Sequence, residues 1–363
     1  MDNNKQAPVN HRPSRQVWRS DGPNRLPVWA WCLLLAVVLA GCSRIDANTL
    51  FSDYQQRLVR VLDLPAALPQ LSPLPPLPAI RELKYPLTDS RLNLLDLVAL
   101  RQCNLQGLVA ERNNSLGKVM SSSNLLGYEL QLLAGLQPCL DHPELTDALR
   151  ADLQQIYVQK QQQLPLVLQN FLTTDLTLRK QLTGQPRLLT KGASNAVAAP
   201  LTALKNLIRL KQQILAQHET IYPTLTASFI NQQLAVLHQG SFIADWQYSL
   251  RQSNAWLTLL NQQLSERPAA GLCKKQAKME ILNNILMQIF IAKVQSYLAE
   301  LDGISHQLLP ELTLLYQGTK LANSVDERLA KPAQQLRDLM KQHVRWYQQL
   351  QQQCRLKPAA AGV

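Results

Sequence analysis

Residues 280–298 read EILNNILMQIFIAKVQSYL, with Glu280 and Lys293 as the only charges in nineteen positions. The run is too long for a single strand, and it carries no Gly or Pro to break it. It predicts a strongly apolar helix over 274–301 that forms the centre of a core. Composition agrees. The chain of 363 residues holds 71 Leu and 41 Gln, so two straight-chain helix formers supply about a third of it. Only 13 Gly are present, and charged residues are 17% against 46% hydrophobic. Few β-branched or aromatic runs means no β-sandwich or barrel. The apolar fraction excludes a disordered chain, and the lack of a Gly-rich phosphate loop argues against P-loop and Rossmann enzymes. The fold class is all-α: a multi-helix bundle or irregular helical array, with a proline-rich extended segment packed on it. No period repeats clearly enough to support a regular solenoid.

Outward from that core, the last helix is expected over 325–353. Leu329, Leu336, His343 and Leu350 recur every seven residues, with Met340, Tyr347 and Cys354 beside them, which is a bundle seam. His343 on this seam reads as a satisfied core histidine. Pro310 is expected to interrupt the continuation of the core helix to Tyr316. Helices are expected near 195–217, 224–239 and 242–266. Another runs from Asp141-His142-Pro143-Glu144 to about Thr173, kinked at Pro165. Residues 90–114 and 124–140 read as a helical hairpin turning at Ser121–Ser123, with Asp89 and Ser90 as N-cap candidates.

Residues 49–64 read as a short amphipathic helix. The proline-rich segment, 65–88, follows it. There Leu68, Leu71, Leu74, Leu77 and Ile80 recur every third residue, the period of a polyproline II helix. They should form one apolar stripe that packs on the helical body, because exposing five large apolar side chains is costly. The alternative is a docking peptide for a proline-reading partner. The helical domain then spans 89–356, with its best internal boundary in the loop-like stretch 183–194. A disordered tail, 357–363, ends the chain.

The N-terminus reads as an address. Lys5, Arg12, Arg15, Arg19 and Arg25 precede the apolar run Val28–Ala40, whose 13 residues suit a signal-peptide core and fall short of a span. The run closes on Leu39-Ala40-Gly41-Cys42. These residues resemble the lipobox of bacterial lipoproteins. The resemblance implies cleavage before Cys42, with 1–41 removed as the signal peptide. It implies that Cys42 carries acyl chains (palmitate among them) and becomes the mature N-terminus. Ser43 in place of Asp implies the outer rather than the inner membrane. The expected site is the periplasmic face of the outer membrane, with 42–48 as lipidated N-terminus and tether. Three acyl chains would hold the protein firmly where one would not.

Removing residues 1–41 lowers the net charge from +12 to about +9. In an envelope this basic balance does not point to nucleic acid, and the expected partners are membrane lipid, through Cys42, and an envelope protein or polymer. Four cysteines remain, Cys103, Cys139, Cys273 and Cys354, an even number that suits an oxidising compartment. The midpoint of Cys103 and Cys139 falls on Ser121, at the expected hairpin turn, so these two should pair. Cys273 starts one long helix and Cys354 ends the last, so they could meet at the open end of a C-terminal hairpin.

Chemistry is sparse. No HExxH or close His/Cys ligand pair is present, so no metal and no cofactor is expected. No GxSxG occurs, and no catalytic residue can be named. The least generic stretch is 111–129, ERNNSLGKVMSSSNLLGYE. Arg112, Asn113, Asn114, Ser115, Lys118, Tyr128 and Glu129 form a candidate binding turn for an anion or glycan. Turn and cap chemistry alone also explains these residue types. Together with the lipobox, this segment resembles a family of uncharacterised gammaproteobacterial lipoproteins, which implies a helical envelope domain without a known activity. The expected function is a non-enzymatic envelope scaffold or binding protein. The rivals are an all-α enzyme acting on peptidoglycan, with an acid near Glu129, and a carrier of lipid or another apolar ligand.

Overall fold

The computed structural model describes residues 45–88, 100–183, 187–217, 225–267 and 272–354, and Lys118 in its backbone only. All of them fall within one unit, Arg44–Val363. Cys42, the lipobox residues Leu39, Ala40 and Gly41, the cap candidates Asp89 and Ser90, and the tail 357–363 lie outside the described residues.

Helix α1 (Ala47–Leu62) begins where the Asp46 carboxylate accepts from Thr49 N at 3.0 Å. Its buried face is Ala47, Leu50, Phe51, Tyr54, Leu58 and Leu62, spaced by three or four. It ends at Asp63, whose left-handed backbone (φ 53°) lets its N–H bond Val59 O. An extended stretch leads to one helical turn, α2 (Ile80–Leu83). Then come α3 (Gln106–Asn113), α4 (Ser122–Leu140), α5 (Asp147–Thr174) and α6 (Leu176–Thr183). After these follow α7 (Ala198–Leu215), α8 (Ala227–Gln239) and α9 (Phe242–Ser265). Helix α10 (Gln276–Ile285) continues through a π-helical stretch, Leu286–Gln295, into α11 (Ser296–Tyr316). A short turn, α12 (Ala322–Val325), and a second π stretch, Asp326–Ala330, lead into α13 (Lys331–Gln353). Among the described residues the only β pairing is one bridge, Asp46 with Thr190. The fold is all-α.

Several boundaries differ from expectation for identifiable reasons. His142–Leu145 forms a turn, and α5 starts only at Asp147, because Thr146 Oγ1 accepts from Leu149 N and supplies the cap. Pro310 does not end its helix. It is exposed, so the His306 carbonyl it leaves without a helical donor faces water. Cys103 stands in the turn before α3 rather than on a long first arm.

The core runs along α10, the π stretch and α11, where Leu282, Phe290, Val294, Leu298, Leu301 and Leu308 are fully or almost fully buried. Helix α1 packs on this rod and on α9, α9 packs on α13, and α4 packs on α5. On the seam of α13, Leu336 and Leu350 are buried, and Leu329 just ahead of it is too. Residues 187–197 are held to the body by polar contacts. Leu189 N donates to Ser249 Oγ, Tyr297 OH donates to Leu189 O, and Gly192 N and Ser194 N both donate to the Glu300 carboxylate.

Candidate functional site

Residues 65–79 carry six of the prolines, and a proline has no N–H. Such a segment offers carbonyls without enough donors to pair itself, so the body supplies them. Gln263 Nε2 donates to Pro65 O and Gln55 Nε2 to Ala67 O, each at 2.8 Å. Arg251 donates to Ser72 O. Arg328, which is 4% exposed, donates to Pro75 O and to Leu182 O. Arg179 donates to Pro78 O at 2.9 Å and to Thr173 O. The three arginines therefore take the carbonyls of residues 72, 75 and 78. A three-residue step is one turn of polyproline II, so these carbonyls share one edge of the strap. The apolar stripe is buried most deeply towards its middle and less at its ends. Leu77 is buried in the core and Leu71 and Leu74 are half-buried, but both ends of the predicted stripe are exposed, Leu68 at 81% and Ile80 at 39%.

None of these three arginines has a carboxylate within ion-pair distance among the described residues. Burial lowers the pKa of Arg328, and the like charges of Arg251 and Arg179 lower it further. Burial lowers that of Arg251 as well. Three guanidiniums thus gather around one strap with only carbonyl dipoles as partners.

Between its α9 bonds at Pro65 and Ser72 the strap borders a groove of about 610 Å³. One wall is Leu68, Gln70, Leu71 and Ser72. The opposite side is the α9 face of Arg251, Asn254, Thr258, Leu259 and Gln262, with Gln335 of α13 closing it. Its lining holds one cation, several amides and no carboxylate. Asn254 is held there by its Nδ2, which donates to Pro332 O at 2.8 Å.

The predicted binding turn closes largely on itself. The Asn114 side chain accepts from Gly117 N at 2.8 Å, and Arg112 donates to Gly117 O and lies over the Tyr128 ring. A Cβ at Gly117 would collide with the carbonyls of Glu111 and Arg112, so the turn requires glycine. Asn113 and Ser115 are exposed, and burial raises the Tyr128 pKa. Glu129 departs from this group: it is buried and pairs with Lys160 at 2.7 Å. The structure brings Arg112, Asn114 and Tyr128 together, while Glu129, whose charge still raises the Tyr128 pKa, makes its ion pair with Lys160 instead.

The cysteines form two disulfides, Cys103–Cys139 (Cα–Cα 5.2 Å) and Cys273–Cys354 (5.0 Å). The seam histidine belongs to a buried polar chain. Asn261 Nδ2 donates to Leu339 O, which turns the Asn261 Oδ1 towards His343 Nδ1 at 2.7 Å. The Nδ1 therefore carries the proton, and Nε2 accepts from Tyr54 OH at 2.7 Å. Tyr347 OH in turn donates to the Tyr54 oxygen. Phe290 from the π stretch packs its ring 4.4 Å from the imidazole. Burial pushes the His343 pKa down to about 3, so the ring stays neutral and structural. A similar device caps α11, where the Lys211 ammonium donates to Leu314 O, Leu315 O and Gln317 O. No group of three or more His, Cys, Asp or Glu residues among the described residues could hold a metal ion. No described helix is long and apolar enough to cross a membrane.

The strap's arginines were invisible to spacing arguments, since their partners lie 101 to 253 positions away. One signal existed. Arg251 and Arg328 have no acidic residue three or four positions along their helices, so neither had a local partner to occupy it.

No curated protein and no solved structure matches this chain. A family model described as "Protein of unknown function (DUF3080)" matches residues 51–358, and the chain belongs to that family.

Proposed function

We propose that this protein is an envelope lipoprotein, anchored through acyl chains on Cys42 at the periplasmic face of the outer membrane, and that its body is a non-enzymatic binding or scaffold module. The observation that carries the binding reading is the groove beside the strap. One wall is immobilised by side-chain donors, the other is a helix, and the lining offers a cation and amides. That is a preformed surface for recognition. Anchoring is supported by the signal-like run ending at Cys42 and by the early hold on the chain. Lys191 N donates to Ile45 O at 2.8 Å, only three positions after Cys42. The envelope reading also suits two disulfides.

Two measurements test this. Metabolic palmitate labelling and membrane fractionation should both be lost in Cys42→Ser. Crosslinking in intact envelopes should then capture a partner that depends on Gln262 or Arg251. Release of soluble products from peptidoglycan by the purified protein would overturn the non-enzymatic reading.

A further inference from the structure

We infer that the strap groove binds the free carboxyl end of a short, extended peptide. This rests on the proposed reading of the body as a binding module and gives that module its ligand chemistry. Four features converge. Arg251 stands in the groove without a carboxylate partner among the described residues, and a guanidinium fork matches a carboxylate in shape and charge. The guanidinium of Arg328, near enough to Arg251 to feel its charge, adds to the positive field there. No acidic side chain lines the groove to oppose an incoming anion.

The second feature is the sequence of groups beyond Arg251. Gln262, Gln335 and Gln70 in the same lining offer both donors and acceptors, which suits peptide groups rather than a second charge. The third is length. From Arg251 to Gln262 the helix rises about 16 Å, and the facing strap is itself extended, so the space suits a short extended chain. The fourth is the apolar rim. Leu68 remains 81% exposed beside Leu71 and Leu259, a surface that a small apolar side chain would cover. A short peptide with small apolar side chains and a free carboxylate satisfies all four.

That chemistry has two sources: the stem peptides of cell-wall polymer and the C-terminus of a protein. Binding to the purified full-length protein in detergent, measured by calorimetry, separates them. The probes are an N-acetylated alanine tripeptide with a free carboxylate, the same peptide as its C-terminal amide, and soluble muropeptides from digested cell walls. The free acid is expected to bind at least tenfold more tightly than the amide. Arg251→Gln should erase that preference. Gln262→Leu leaves every strap hydrogen bond in place and should weaken both forms. Tighter binding of muropeptides assigns the wall, and equal or tighter binding of the tripeptide assigns a protein terminus. Equal affinity for acid and amide, no binding of any probe, or a preference that survives Arg251→Gln overturns the proposal. Failure of palmitate labelling at Cys42 would sink the anchoring and leave these affinities unchanged, so the two failures are distinguishable.

Discussion

The strap and the seam solve opposite problems. The seam, where α13 meets α1, α9 and the π stretch, has its backbone paired within helices and gains stability by burying side chains. Its longest polar chain, Asn261–His343–Tyr54–Tyr347, is bonded internally, and Gln247 and Asn254 of α9 donate to the carbonyls of Arg328 and Pro332. The strap has almost no backbone pairing of its own and little buried apolar surface beyond Leu77. It is held by side chains reaching in from α1, α6, α9 and the second π stretch. Damage should therefore spread differently. The seam should fail globally, because its parts share one packed volume. The strap should fail locally, by detaching while the helices persist.

The largest expected effect is at the seam's open end. Replacing Cys273 and Cys354 with Ser opens a link between residues 81 positions apart and should cost about 4 kcal/mol, seen as one cooperative shift of thermal unfolding. Next, His343→Leu strips partners from the buried Tyr54 hydroxyl and Asn261 Oδ1 and should cost about 3 kcal/mol. The same histidine sets a pH slope. Its folded pKa of about 3 lies below the usual 6.5, so between these values the unfolded chain holds the extra proton. Stability from keeping it neutral is present above pH 6.5 and lost as pH falls towards 3, at about 1.4 kcal/mol per pH unit. Acid titration of the melting temperature should show this slope, and His343→Leu should lack it.

Arg328→Met sharpens the comparison from the other side. It leaves Pro75 O and Leu182 O without their donor and should cost about 2 kcal/mol. Limited proteolysis should then cut within 65–79 while the helical fragment stays folded. A merely global loss would show that strap and seam are one cooperative unit. Smallest of all, Leu68→Ser should move the melting temperature by less than about 0.5 kcal/mol equivalent, because that side chain is already 81% exposed.

What the chain reveals before folding divides along the same line. The seam was legible, since burying a helix face imposes a seven-residue rhythm, and Leu336, His343 and Leu350 obey it. Polyproline spacing correctly gave the strap a side, and Leu77 packs as that side requires. It could not say which members of the stripe reach the body, because the strap is pinned only where α1, α6, α9 and the second π stretch supply donors. So Leu68 is exposed and a groove opens there. The donors that hold the strap were illegible, as Arg179, Arg251 and Arg328 meet it only through tertiary approach. The turn at 111–129 illustrates the reverse. Its polar residues suggested a ligand, and in the fold Arg112 and Asn114 each direct one hydrogen bond to Gly117, a turn role that spacing alone did not reveal.

The bridge between Asp46 and Thr190 has a mechanical consequence. Only Ser43 and Arg44 stand between Cys42 and Ile45, the first residue bonded to the body, a reach of about 10 Å. Under the proposed lipidation this is a mount rather than a leash. A pull on the acylated end would load the Asp46–Thr190 bridge first and, through Gly192, Ser194 and Glu300, α11. A tether this short would keep the edge of the body that holds Ile45 and Asp46 close to the bilayer surface, whichever way the groove opens.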